Sequence, residues 1–232
     1  MKRERSGRKR DEKSVAEMLT LGGSRQLAAG DVGHFWCALG KQSIQESGLT
    51  LQPGQLRALR QLLEATTQLL AQCDAQTLSD VVIGVDRCPL HGVQVQLQAL
   101  HEECYRIAAS RLSEFSPRQL SLFAKGLAKR LSPLVLRTRF FHGIAHVAHR
   151  QLPEYGLTEA IDLLHALAQA GAPSVPLFDD AAHQLIPLLE QADATPAHLA
   201  RLGWSYATAA VAAPPLLDAI ARATRRAPPC RN

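Results

Sequence analysis

Four stretches, LSDVVIGVDRC (78–88), LSLFAKGLAKR (120–130), AIDLLHALAQA (160–170) and LARLGWSYATA (199–209), align beneath one another at steps of about forty residues. Val85, Leu127, Leu167 and Tyr206 share one column, and the small residues Gly84, Gly126, Ala166 and Ser205 share the column before it. A fixed period of this length signals stacked supersecondary units, each burying its apolar face against its neighbours. Such a stack presents a long surface rather than a deep pocket, which favours binding over catalysis.

The punctuation between the apolar stretches fits five pairs of helices. Asp31 is placed to cap a helix through GHFWCALGK, and Pro53 opens a second over 54–72. Asp74 caps 75–87, and His91–Gly92 precede a helix over 93–112. Ser116–Pro117 and Thr195–Pro196 each combine an N-cap side chain with proline at the first helical position. Pro133, Pro173–Pro176 and Pro214–Pro215 fall between the two helices of a pair, where proline ends one helix and opens the next. Pro187 falls inside a helix and predicts a kink. Leu120, Phe123, Ala124, Leu127 and Leu131 make one apolar stripe; Phe123, Leu127, Leu167, Leu202 and Tyr206 are the expected core. The expected fold is all-α, an α-solenoid of about five antiparallel helix-pair repeats of about 40 residues. It spans 31–227, after a basic tail and short helix over 1–30 and before a disordered 228–232.

Composition agrees. Aromatic residues are 5% of the 232, and good helix formers dominate. No apolar run approaches bilayer-spanning length, so a soluble chain without membrane partners is expected. The five cysteines contain no CxxC pair. They are read as free or core thiols, with neither zinc site nor disulfide framework. No P-loop, Ser–His–Asp order or paired carboxylates stand out, so neither an enzyme nor a cofactor is expected.

The net charge of +5 is unevenly spread. Residues 115–153 hold seven basic and no acidic residues, and 154–193 hold seven acidic and no basic ones. That is not the uniform footprint of a strong non-specific nucleic-acid binder. In the basic unit Arg118, Lys125, Lys129, Arg130, Arg137, Arg139 and Arg150 are the candidate phosphate contacts. The alternatives are neutralisation across the junction by the acidic unit, which would set Arg118 near Glu159, and head-to-tail self-association of basic face on acidic face.

Arg60, His101, His142, His183 and Arg222 recur at steps of 41, 41, 41 and 39 on the second helices. One such side chain per unit is how modular repeats read single-stranded RNA; the competing reading is an interhelix position with satisfied polar tips. His142, His146 and His149 lie at i, i+4, i+7. That spacing suits either a solvated or RNA-facing face or a metal pair, though flanking Arg139 and Arg150 disfavour a cation.

LARLGWSYATAAV (199–211), with Thr195–Pro196 before it and PPLLDAIARATRRAP after it, resembles an octotricopeptide repeat. It is also similar to the helical repeats of FAST-kinase-like and RAP-domain organellar proteins. Leu199, Leu202, Trp204, Tyr206 and Ala207 fall in matching columns. Lys125, His165 and, near the N-terminus, Trp36 are assigned to the tryptophan column. The likeness is good over 115–227, fair over 73–112 and slight over 31–72. It implies sequence-selective RNA binding in mitochondrial or chloroplast RNA processing, stability or translation. The stretch after the fifth unit leaves no room for a RAP domain, so nuclease-like activity is not carried over. No kinase motif is present either. The alternative is a protein–protein interaction scaffold, such as a secreted bacterial effector.

Overall fold

The computed structural model describes Leu19 and residues 27–45, 51–88, 92–128, 134–191 and 194–226. The described residues are mostly helical and contain no strand, and they form ten helices packed against each other. These are α1 (Ala29–Gln45), α2 (Pro53–Leu69), α3 (Ala75–Asp86), α4 (Gln94–Ala109), α5 (Pro117–Leu127), α6 (Leu134–Arg150), α7 (Leu157–Gln169), α8 (Val175–Gln191), α9 (Pro196–Ala209) and α10 (Pro214–Arg226). None is long and apolar enough to cross a membrane.

The helix starts follow the capping chemistry. The Asp74 carboxylate accepts from the Thr77 amide at 2.7 Å. That hydrogen bond, first among the causes, holds the carboxyl below its ordinary range. Ser116 and Gln119 close a reciprocal capping box ahead of Pro117, and the Thr195 hydroxyl accepts from the His198 amide. Asp31 behaves otherwise. α1 already begins at Ala29, so Asp31 sits in the first turn, where its charge suits the helix dipole but caps nothing. α8 runs through Pro187 to Gln191, so the missing amide costs a hydrogen bond without ending the helix.

Helices alternate in their partners. α1 packs on α3, α3 on α5, α5 on α7 and α7 on α9, while α2 packs on α4, α4 on α6, α6 on α8 and α8 on α10. The column of small residues explains how closely the odd-numbered helices approach. A Cβ built on Gly84 would fall on the carbonyl group of Trp36, and one on Gly126 would fall on Val82 Cγ1. Ser79 Oγ donates to the Gln119 carbonyl at 3.2 Å, and Ser121 Oγ to the Glu159 carbonyl at 2.8 Å. The same bond thus joins two successive junctions.

Phe123, Leu127, Leu167, Leu202 and Tyr206 are all buried, as their spacing predicts. Tyr206 also donates its hydroxyl to the Phe178 carbonyl at 2.7 Å, so its polar tip is satisfied. Three 3₁₀ turns absent from the sequence reading link successive pairs: Leu70–Gln72, Leu112–Glu114 and Leu152–Glu154. Each is closed by the amide of the next residue, Cys73, Phe115 or Tyr155, and that residue and the leading leucine are buried. The carbonyls of Cys73, Phe115 and Tyr155 in turn accept from Arg111, Gln151 and Gln184.

Candidate nucleic-acid interface

The second helices carry Arg60, His142, His183 and Arg222 at exposed positions, whereas His101 is only 1% exposed. His101 belongs to the buried stripe of α4, with Leu97, Leu100, Cys104 and Ala108, and cannot present its ring to a strand lying on the surface. The row is therefore interrupted at its second member, which is buried among apolar residues. Arg60 donates to the Gly92 carbonyl at 3.1 Å, and Arg222 lies 3.2 Å from Glu190.

In the basic unit Arg118, Arg139 and Arg150 are exposed and Arg137 is partly buried. Lys129 and Arg130 lie outside the described residues. Lys125 pairs with the acidic unit, its ammonium lying 2.8 Å from Asp162 Oδ2. Arg201 approaches the other oxygen of that carboxylate at 3.0 Å. Asp162 is 8% exposed, and a carboxylate so withdrawn from water needs such partners. One acid from α7 thus ties together α5 and α9. At the same junction Arg118 remains exposed, and Glu159 is engaged through its carbonyl by Ser121.

His142 and His146 are exposed, and His149 reaches Asp180 on α8 at 2.6 Å. No group of three or more potential metal ligands exists among the described residues. Cys73, Cys88 and Cys104 are buried free thiols. Burial pushes Cys88 up to about 11 and raises Cys104 still further.

Close approaches correct the placement of Trp36. Its backbone meets Gly84, and the Cys37 thiol donates to the Asp80 carbonyl at 3.4 Å. Gly126 likewise meets Val82 and Lys125 meets Asp162, so Trp36 is equivalent to Val82 and Cys37 to Lys125. Cys37 therefore occupies the tryptophan column. Trp36 is wholly buried, its indole N–H donating to Thr66 Oγ1 at 2.9 Å.

Of the other members of that column Ile83 is buried, Lys125 pairs with Asp162, and His165 and Trp204 are in ring contact. The Trp204 ring is 44% exposed and packs on His165 with centroids 4.7 Å apart and planes inclined by 57°. Lys125 and Arg201 are joined through Asp162 one turn earlier on α7. An aromatic surface thus stands beside two cations whose positions are fixed by one carboxylate. Of these four, the sequence reading names only Lys125 as a contact; His165 and Trp204 enter it as members of the tryptophan column alone, and Arg201 does not stand out because its column otherwise holds Asp80, Leu122 and Asp162. No protein-family model and no curated protein matches the sequence.

Proposed function

We propose that this chain is an α-solenoid of about five antiparallel helix pairs that binds single-stranded RNA. Its octotricopeptide-like repeats imply a role in processing, stabilising or translating an organellar transcript. Packing between every second helix and the recurring serine–carbonyl bonds support the solenoid. The observation that carries RNA binding is the half-exposed Trp204 ring on His165, with Lys125 and Arg201 alongside. Bases of any sequence stack on aromatic faces, while cations hold the backbone. Arg118, Arg139 and Arg150 are exposed cations and remain proposed phosphate contacts, as Arg60, His142, His183 and Arg222 remain proposed contacts on the second helices. A protein-binding scaffold is the second reading, favoured by the internal pairing of Lys125, Arg201 and Arg222 with acids.

Fluorescence anisotropy with labelled single-stranded RNA, at several salt concentrations, separates the two. RNA binding requires affinity that falls steeply with salt. Trp204→Ala should then weaken it by roughly 5- to 150-fold, the equivalent of about 1–3 kcal/mol of stacking. His142→Ala should alter base preference at one position, and Arg139→Ala should weaken all sequences alike. Absence of RNA binding at low salt would leave the scaffold reading.

A further inference from the structure

Among the described residues, α9 and α1 leave open small residues at positions that are buried at the internal junctions of the odd-numbered row of helices. On the leading side of each helix, Gly33, Ser79, Ser121 and Ile161 are buried where the following helix packs; the equivalent residue of α9, Ala200, is exposed. Three residues further on, Trp36, Val82, Ala124 and Leu164 are buried, whereas Gly203 is partly open and a Cβ built there meets nothing within 4 Å. Ala128 and Ala168 are buried too, yet Ala207 is exposed.

The second helices repeat this contrast. Leu59, Leu100, Phe141 and Ala182 are buried, and Ala221 is exposed. Phe178 is covered by Tyr206, while its equivalent on α10, Leu217, is 49% exposed. A terminal unit that closes a stack carries a polar outer face. This one carries alanines, a glycine, Trp204 and Leu217.

The opposite end matches. Each following helix offers its small residue to the one before it: Gly84, Gly126, Ala166 and Ser205 are all buried. The residue of α1 in that column is Ala38, and it is exposed, with Asp31 and His34 also exposed in the positions of Thr77 and Asp80.

We infer that the chain stacks head to tail on copies of itself, α9 of one copy receiving α1 of the next. Continuing the internal register places Gly203 against Ala38 of the next copy, as Val82 lies against Gly126. It also sets Trp204 beside His34 of that copy, as Lys125, still partly exposed at its junction, lies beside Asp162. The contact joins two different faces, so it propagates from copy to copy instead of stopping at a pair.

The test is mass measurement, by sedimentation or light scattering, on the nucleic-acid-free full chain, independent of any RNA binding. Wild type should grow with concentration from 25.2 kDa through successive multiples. Gly203→Arg blocks one face and Ala38→Arg the other, and both positions are open enough to leave the fold intact. Each variant alone should remain monomeric, while an equimolar mixture should form a dimer and nothing larger, since each supplies the face the other lacks. That rescue also shows that neither variant is misfolded. Wild type holding at monomer mass up to its solubility limit overturns the proposal. So does an Ala38→Arg variant that still dimerises alone, which would indicate a two-fold contact between α9 helices.

Discussion

The carboxylate of Asp162 lies 2.8 Å from the Lys125 ammonium while its other oxygen meets Arg201 at 3.0 Å. One acid on α7 therefore serves both neighbouring odd-numbered helices. Exposed ion pairs contribute little, but this acid is 8% exposed and its two cations approach from opposite sides. Asp162→Ala should cost about 1–3 kcal/mol, as expected for losing charged hydrogen bonds in a partly buried place. Arg201→Ala should cost less, because Lys125 still holds the acid. Urea denaturation of the two variants checks the order.

Two glycines should respond in opposite ways to alanine. A Cβ on Gly84 would collide with the carbonyl group of Trp36 and come within 2.7 Å of the Cys37 amide nitrogen. Backbone cannot rotate aside as a side chain can, so Gly84→Ala should lose about 1–3 kcal/mol or more through overpacking. Gly203→Ala meets nothing within 4 Å and should gain about 0.5–1 kcal/mol from helix propensity. Thermal melts that fail to separate the pair would contradict the close approach of α1 and α3.

Leu127 is wholly buried in the column shared with Val85, Leu167 and Tyr206. Leu127→Ala should destabilise by about 2–5 kcal/mol. Calorimetry showing no loss would mean that this stripe faces water.

Asp74 links stability to acid. Its carboxyl is held below the ordinary value of 3.8 by the Thr77 amide. A depressed folded pKa gives stabilisation that is complete above the unfolded value and disappears as pH falls through the folded one. Asp74→Ala should therefore cost about 0.5–2 kcal/mol at neutral pH, the range for a lost N-cap. The gap between wild type and variant should close below pH 3.8. A gap that persists in acid would assign the loss to something other than the ionised cap.

Helix starts and the core were legible because their signals are local. Asp74, Ser116–Pro117 and Thr195–Pro196 announce their helices through the chemistry of the first turn, and Leu127 and Tyr206 announce burial by spacing. Trp36 was misplaced because 46 residues separate Asp31 from Thr77, against 42, 40 and 39 at the later junctions. Only contact across the helices shows which residue meets Gly84. His101 shares its column with exposed His142 and His183, yet it sits four residues after Leu97 and three before Cys104, inside an apolar stripe. Counting repeat steps outweighed that local signal. The 3₁₀ turns ending at Cys73, Phe115 and Tyr155 are too short to display helical periodicity, although Leu-x-x followed by a bulky or thiol residue recurs three times. The Asp162 bridge depends on which side chains meet across two junctions, and that is not written in any one segment.

The alternating packing of α1 on α3 and α2 on α4, carried on to α10, has a consequence for biosynthesis. Among the described residues the main helix contacts join segments about one helix pair apart in the chain, so none of these ten helices waits for a distant partner to be translated. Each pair can dock on its predecessor as it leaves the ribosome, and the loop-closure cost is met in small instalments. Amide exchange should follow the same order, with slow exchange in α5 to α7, which have neighbours on both sides, and faster exchange in α10, which docks last.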